Sequence, residues 1–358
     1  MTGRPDVLVV GGGIVGLCAA LAAADRQLRV VIADDGRAGA ASRASAGMLG
    51  PSLDGLPAAV QALAFVARDL YPDFIARLAE RSGVRVDLDR SGILEIATSE
   101  AELDAQRLRA GPRARVLQQR ELARLEPALA MHAGAVHHPH DGWVDNRALM
   151  DALLIAVHRH PRIEVVHTRV ASVQVGDTAN ATFADGGRLE SSRLLLATGA
   201  WGGVTGLPSA VPVRPVKGEL LTLDRLAVRH VVYGSAGYAV PRGDTLLLGA
   251  TSEEVGFEPG TTARGLMLLR EVASALVPDL RHATVVDHWG GLRPCSPDGL
   301  PILGEDSQCP ALVYASGFSR NGILLAPWAA EALADLFSGT VASRIPCEFL
   351  CGRFGGKQ

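Results

Sequence analysis

An α/β fold made of two interleaved domains is predicted by three features of this 358-residue chain. A strand, a glycine turn and an alanine-rich helix open it, and a strand, a glycine turn and a helix close it. Between them lie β-rich stretches punctuated by Gly, Pro and Asp. The length exceeds that of one ordinary domain, and 48% hydrophobic residues supply an ample core with no signature of disorder. A formal net charge of −3 with no long basic run gives no electrostatic case for nucleic acid.

In the opening unit, Asp6–Val10 reads as a fully buried strand, Leu17–Ala24 as a helix and Leu28–Ala33 as a second strand ending in Asp34. Between strand and helix, Gly11, Gly13 and Gly16 form G-x-G-x-x-G. Gly11 permits the tight turn, Gly13 admits a pyrophosphate to the backbone, and Gly16 lets the helix pack against the strand, with Ile14 and Val15 carrying the chain between them. Phosphates would meet the positive end of the helix, and Asp34 stands near the distance expected for a carboxylate that grips ribose hydroxyls. Structural loops also use glycine-rich turns, but strand, helix and second strand here supply the context, so an adenine dinucleotide is expected. Val7–Ala24 is apolar enough to suggest a membrane span or signal peptide. Its glycines and the closing Asp25 fit the dinucleotide reading instead, which places the protein in the cytoplasm with no membrane span.

The stretch Gly39–Pro51 is built of small residues, which suits backbone passing close to a flat ligand, although a linker shares that composition. Ala58–Arg81 has apolar residues at helical spacing and is predicted as a helix that Pro72 kinks or divides. Val84–Leu88 and Gly92–Thr98 read as strands, and Ser99–Arg109 and Gln118–Leu125 as surface helices, the first capped by Ser99. From His132 to His140 the histidines are spaced H-x4-H-H-x-H. Pro139 and Asp141-Gly142 mark a turn there and nothing completes a ligand set, so no metal site is expected. Asn146–His160 is predicted as a helix, followed by strands at Ile163–Val166 and Val170–Val173 and a hairpin, Asn180–Phe183 with Arg188–Glu190.

Leu194–Trp201 reads as a buried strand that ends in a small-residue turn and returns the chain to the first sheet. Val213–Leu220 starts a β-rich region with strands at Val231–Tyr233, Tyr238–Pro241 and Leu246–Gly249, a helix at Thr262–Ala275 and a strand at Thr284–Trp289. Gly291–Gly304 is rich in turn formers and is expected to be irregular. Leu312–Ser316 is a short strand, and Gly317–Pro327 leads into a last helix, Trp328–Phe337. The 5 cysteines are odd in number and scattered, which argues against a disulfide framework.

Several of these segments carry a resemblance. D-V-L-V-V-G-G-G-I-V-G near the start, A-S-A-G-M-L-G at 44–50, D-G-W-V-D-N-R-A-L at 141–149 and A-T-G-A-W at 197–201 are the first. P-V-K-G-E-L at 215–220, Y-A-V-P-R at 238–242, G-L-R-P-C-S-P-D-G-L-P-I-L-G at 291–304 and G-F-S-R-N-G-I-L-L-A-P at 317–327 follow in order. Together they resemble the flavin-dependent amino-acid oxidases related to D-amino acid oxidase, most closely the glycine-oxidase branch of thiamine biosynthesis.

The resemblance implies a Rossmann-like FAD-binding domain of the glutathione-reductase type over 1–84, 141–212 and 289–358, interleaved with a β-rich substrate domain over 85–140 and 213–288. It implies non-covalent FAD, with Gly11–Gly16 at the pyrophosphate, Asp34 at the ribose and Val170 at the adenine. Ser42, Arg43, Gly47, Met48 and Leu49 would line the isoalloxazine. Gly317, Arg320, Asn321, Gly322, Ile323 and Leu324 would close over its pyrimidine end, and Gly199 and Trp201 join the cofactor set. Arg293 would clamp a substrate carboxylate with support from Tyr238, and Arg320 would meet the substrate, the flavin or a backbone carbonyl.

The implied reaction is oxidative deamination of glycine, sarcosine or small D-amino acids, with dioxygen as acceptor and a 2-oxo acid, ammonia and hydrogen peroxide as products. A homo-oligomer and a thiazole synthase that accepts the product are the partners it raises. Alternatives are a D-amino acid dehydrogenase that passes electrons to a quinone and a non-catalytic flavoprotein. Ser252 stands where the branch carries methionine, which bears on the size of the pocket. Cys295 invites comparison with a flavin-linking cysteine but lies too close to Asp298 for that role.

Overall fold

Val7–Val10 is buried along its whole length, because its side chains alternate between two apolar layers. Val7 and Val9 face a helical layer that includes Ile14–Asp25, Asn146–Arg159 and Gly322–Ser338. Leu8 and Val10 face a three-stranded antiparallel sheet of Val170–Val175, Ala179–Phe183 and Arg188–Ser191. The computed structural model describes residues 3–53, 55–208, 210–339 and 344–354.

Val7–Val10 lies within a six-stranded sheet. Val30–Ala33 and then Ile163–Val166 follow on one side, and Arg193–Leu196, Leu312–Ser316 and Ile302–Glu305 on the other. Its pairings are parallel except at the edge, where Ile302–Glu305 runs antiparallel to Leu312–Ser316. An eight-stranded sheet runs in the order Val285–Cys295, Arg214–Leu223, Thr245–Gly249, Gly237–Arg242, Val231–Gly234, Ile93–Ala97, Gly134–His138, Arg115–Gln118. One face packs Leu221, Leu246 and Leu248 against Leu269, Ala273 and Leu276 of the helix Ala263–Leu276. The other face turns Leu220, Val240 and Leu247 toward Ala46, Met48 and Leu53. A small sheet of Met48–Leu49, Gly142–Val144 and Leu88–Asp89 completes the β structure among the described residues.

Several elements differ from their sequence expectation. The opening strand and helix form as predicted, and Ala58–Arg81 divides at Leu70 into Ala58–Asp69 and Tyr71–Ser82, with Pro72 in the first turn of the second helix where it costs no hydrogen bond. Val84–Leu88 is not a strand: only Leu88–Asp89 pairs, because its partner Gly142–Val144 is three residues long. The largest correction is at Gly291–Cys295, expected to be irregular. The strand that starts at Val285 continues to Cys295 in register with Arg214–Leu223. It is an edge strand, so the N–H that Pro294 lacks is not missed by a second neighbour. Ile302–Glu305 likewise adds an edge strand instead of a turn.

The last helix starts at Gly322, not Trp328, and contains Pro327. Pro327 has no N–H to give the carbonyl of Ile323, four residues earlier. The buried Tyr71 hydroxyl donates to that carbonyl instead, so a tertiary contact completes the helix. The Tyr71→Phe variant leaves the carbonyl buried without its donor and is expected to lose about 1–3 kcal/mol of stability in urea unfolding. An unchanged midpoint would show that the helix tolerates Pro327 without help.

Candidate active site

The turn after the first strand has little room for side chains. Gly11 has φ of +111°, and a Cβ there would lie 2.4 Å from the Ala197 carbonyl oxygen. A Cβ on Gly16 would lie 2.1 Å from the Gly11 carbonyl oxygen, so the helix touches the turn through bare backbone. Gly12 N–H donates to Asp34 Oδ1 at 2.9 Å, and Gly36 N–H to Oδ2 at 3.2 Å. The carboxylate is thereby oriented at the end of its strand. Ser42 Oγ accepts from Ile14 N–H at 3.0 Å, which places a hydroxyl at the mouth of the helix, where the macrodipole favours an anion.

From this turn a cavity of about 800 Å³ runs between the two large sheets. At one end it is lined by Gly11, Gly13, Ile14, Val15 and Asp34, with Val170 alongside. Its middle meets Ser42, Arg43, Gly47 and Met48, with Gly199 and Trp201 on the opposite wall. At the far end Asn321, Gly322, Ile323 and Leu324 present the start of the last helix, and its first backbone N–H groups have no intrahelical partners. Arg43 lines the cavity while its guanidinium pairs outward with Asp151 at 2.5 Å. Asn146 Nδ2 donates to the carbonyls of Ser42 and Arg43 at 3.0 and 3.2 Å and holds that segment in place.

Three residues of the expected set are not brought to the cavity wall. Gly16 acts behind it, in the helix–strand contact. Leu49 alternates away from Met48 and is a fully buried core residue. Gly317, at φ of +69°, lets the chain turn between Ser316 and Phe318, which do line the wall.

The far end carries Arg293 and Tyr238, each laid across a glycine on the neighbouring strand. A Cβ on Gly218 would lie 2.2 Å from Arg293 Nη2, and one on Gly249 would lie 2.3 Å from Tyr238 Oη. Arg293 Nη1 donates to the carbonyls of Thr251 and Lys217 at 3.1 and 3.3 Å. Among the described residues no carboxylate pairs with this guanidinium, and burial pulls its pKa below the ordinary arginine value. Burial pushes the Tyr238 phenol up to about 12, against the opposing influence of Arg293 and Arg320. Arg320 is exposed at the mouth, and a Cβ on Gly55 would lie 2.8 Å from its Nη2.

Tyr233, Gly218, Leu220 and Leu53 also line this end and were not singled out from sequence. Tyr233 had a readable signal: it stands directly opposite Tyr238 across a tight hairpin. Ser252 is exposed and does not line the cavity, so the departure at that position does not set the pocket's size. Two of the clustered histidines have partners within the protein. His132 Nε2 lies 2.9 Å from the Leu276 carbonyl and His138 Nε2 lies 3.1 Å from Glu95, and no group of ligands fit for a metal occurs among the described residues.

A cavity that joins a helix start with free N–H groups to a half-buried arginine and tyrosine suits a long dinucleotide with a flat ring at its far end and a small anion above it. Comparison with known proteins agrees. Residues 6–336 match the family model described as FAD dependent oxidoreductase, and the chain belongs to that family. It is an FAD-dependent oxidoreductase, and the glycine cradle, Asp34 and the small-residue middle of the cavity fit that cofactor. The chain is 35% identical to a glycine oxidase of Geobacillus kaustophilus, covering 94% of this chain and 93% of that protein. It is 34% identical to a bifunctional protein ThiO/ThiG of Synechocystis, covering 98% of this chain and 54% of that longer protein. The crystal structure of the Geobacillus kaustophilus glycine oxidase superposes with a TM-score of 0.93 at 32% identity, over 99% of this chain and 100% of that one.

Two outcomes follow from this geometry. Gly11→Ala forces a strained φ and a backbone clash and is expected to yield protein without visible flavin absorbance, whereas Gly249→Ala displaces Tyr238 and keeps the flavin. Equal flavin content in both variants would contradict this. Because Tyr238 holds its proton to about 12, the pH profile of kcat/KM is expected to show no limb from this phenol at or below pH 10, where an ordinary tyrosine ionises. The Tyr238→Phe profile should therefore keep the same shape.

Proposed function

We propose that this protein oxidises glycine and other small amines, including sarcosine and small D-amino acids, to the 2-oxo acid and ammonia, or methylamine in the case of sarcosine, with water consumed in hydrolysis of the imine and hydrogen peroxide released. The observation that carries this reading is the half-buried Arg293 fork, laid on Gly218 beside neutral Tyr238 with no carboxylate of its own among the described residues. Such a fork accepts a carboxylate bidentately, and Tyr238 adds a hydroxyl donor. Similarity to glycine oxidases supports a small substrate.

When bound, FAD supplies the acceptor for the hydride lost from the substrate's Cα and passes the electron pair to dioxygen. The chain's own work is placement. Arg293 and Tyr238 fix the carboxylate, which fixes Cα, and holding reacting groups in attack geometry removes much of the entropic barrier. Leu220, Met48 and Leu53 line the cavity and would exclude water, and the first N–H groups of the last helix, which face the same cavity, would stabilise negative charge on the reduced flavin. No paired carboxylate or Ser-His-Asp set is required. Cys295 does not line the cavity and approaches Ser319 Oγ at 3.5 Å, in keeping with non-covalent FAD.

The reading carries a division of labour in which 1–84, 141–212 and 289–358 bind FAD while 85–140 and 213–288 hold the substrate, with the exception of Arg293, which reaches the substrate from the strand Val285–Cys295 that crosses the 288/289 boundary. The unpaired cysteines fit a cytoplasmic setting. No helix among the described residues is long and apolar enough to cross a membrane. Relatives named as bifunctional ThiO/ThiG proteins support a thiazole synthase as acceptor of the product.

Anaerobic titration with glycine, sarcosine, D-alanine, D-proline and bulky D-amino acids is expected to bleach the flavin with the small substrates, and air to restore its colour with peroxide formed. Bleaching only by bulky substrates would overturn the small-amine reading, and flavin that stays bleached in air would point to a quinone acceptor. Arg293→Ala should lower kcat/KM for glycine by about 30-fold or more, as truncating one partner of a desolvated charge pair costs about 2–5 kcal/mol.

A further inference from the structure

Behind Arg293, on the opposite face of the sheet, lies a buried charge cluster to which the proposed chemistry gives no role. Side chains alternate along Arg214–Leu223, so Gly218 and Leu220 face the cavity while Lys217 and Glu219 project toward the helix Ala263–Leu276. Both are almost fully buried. Lys217 Nζ lies 2.8 Å from Glu219 Oε1 and 3.4 Å from Glu253 Oε1. Glu219 also accepts from Thr262 N–H at 3.1 Å and Thr262 O–H at 2.9 Å, and His288 Nε2 lies 2.9 Å from its Oε2. A Cβ on Gly265 would lie 2.1 Å from Glu219 Oε2, so the helix start is closed down on this carboxylate.

The cluster connects to the site through backbone. The segment 251–253 leaves the strand Thr245–Gly249 and joins Arg214–Leu223 at Lys217 and Glu219. Lys217 N–H donates to the Glu253 carbonyl at 2.8 Å, and Glu253 N–H to the Lys217 carbonyl at 2.9 Å. Thr251 N–H donates to the Glu219 carbonyl at 3.2 Å. The Thr251 hydroxyl accepts from Glu219 N–H at 2.9 Å and donates to Glu253 Oε1 at 3.0 Å. The carbonyls of Lys217 and Thr251 are the acceptors of Arg293 Nη1.

We propose that Lys217, Glu219, Thr251 and Glu253 form a positioning cluster that holds those two carbonyls in place, so that Arg293 Nη1 is committed to the protein and its other N–H groups face the substrate carboxylate. The Thr251 hydroxyl is the pivot, because it ties the two backbone segments together and links them to the charges. The proposal rests on the reading of Arg293 as the carboxylate clamp. A guanidinium held on one edge presents the opposite edge with its orientation settled before substrate arrives, which is where binding gains from preorganisation.

The test uses the FAD-loaded enzyme and acetate, a carboxylate with no amine, whose dissociation constant is read from perturbation of the flavin spectrum. Thr251→Val keeps the shape and removes the hydroxyl. It is expected to raise the acetate dissociation constant and the KM for glycine by about tenfold, the effect of one unsatisfied buried group, while kcat and FAD affinity stay near the parent values. Thr251→Ser restores the hydroxyl and should restore acetate binding. Glu253→Gln, at a half-exposed position, supplies a second variant should Thr251→Val not fold, with the same direction of change. Parent-like acetate binding in the folded valine variant, or in the glutamine variant if valine does not fold, would overturn the cluster's role. Loss in valine and serine alike would do so too. Arg293→Ala separates the two failures: if it leaves acetate binding unchanged, the clamp itself is misassigned, and if it abolishes binding while the cluster variants do not alter it, only the positioning proposal falls.

Discussion

Arg214–Leu223 pairs antiparallel with Val285–Cys295 at the edge of the eight-stranded sheet, and the end of the cavity that carries Arg293 and Tyr238 depends on that register. The pairing sets Arg293 directly opposite Val216, one step from Gly218, so the guanidinium crosses a strand that has no side chain to obstruct it. The same period of two sends Lys217, Glu219 and His288 to the other face. A slip of one residue would exchange the faces, burying charge against the cavity and turning Arg293 toward the helix. The glycines of this region therefore serve side chains that lie flat on the sheet, a different use from the turn at Gly11.

Charge is buried on both sides of the cavity, and each case is matched by partners. Burial opposes the charge on Glu219, yet hydrogen bonds from Lys217 and Thr262 outweigh it and hold the carboxyl below the ordinary glutamate value. Lys217 is likewise held above the ordinary lysine value despite burial. Near the mouth, Arg68 and Asp141 form a buried pair at 2.7 Å, and Asp141 Oδ2 accepts from Ser52 N–H at 3.1 Å at the head of the segment that carries Leu53. For Asp141 burial wins, and its pKa rises above the ordinary aspartate value. Such pairs add little net stability over apolar packing, and breaking them is costly, so they act as constraints on geometry.

Much of the nucleotide end was legible in the sequence because its signals are local. Strand, glycine turn and helix are neighbours in the chain, and the spacing of Gly11, Gly13 and Gly16 is itself the geometry. The substrate end was legible only as motifs. Gly291–Cys295 looked irregular because its glycines and proline are turn formers in isolation, and a neighbouring strand overrides that preference. The last helix starts early for a similar reason, since Tyr71 supplies the donor that Pro327 lacks. Motif alone groups Leu49 with its neighbours, and strand alternation separates it from them.

By itself, then, the chain's order of residues determined the dinucleotide-binding unit and the α/β class, since each rests on contacts within a few residues, whereas Arg293 and Tyr238 stand out only through resemblance to a family. Which side chains meet across the cavity was decided by the tertiary structure. Arg293 and Gly218 lie far apart in sequence, as do Tyr71 and Ile323, and only strand register and helix packing bring them together. The Lys217–Glu219–Glu253 cluster belongs to the same class. Its residues are ordinary charges when read in a row, and they acquire a common role because the sheet and the helix above it exclude water from Lys217 and Glu219, with Glu253 at the half-exposed edge.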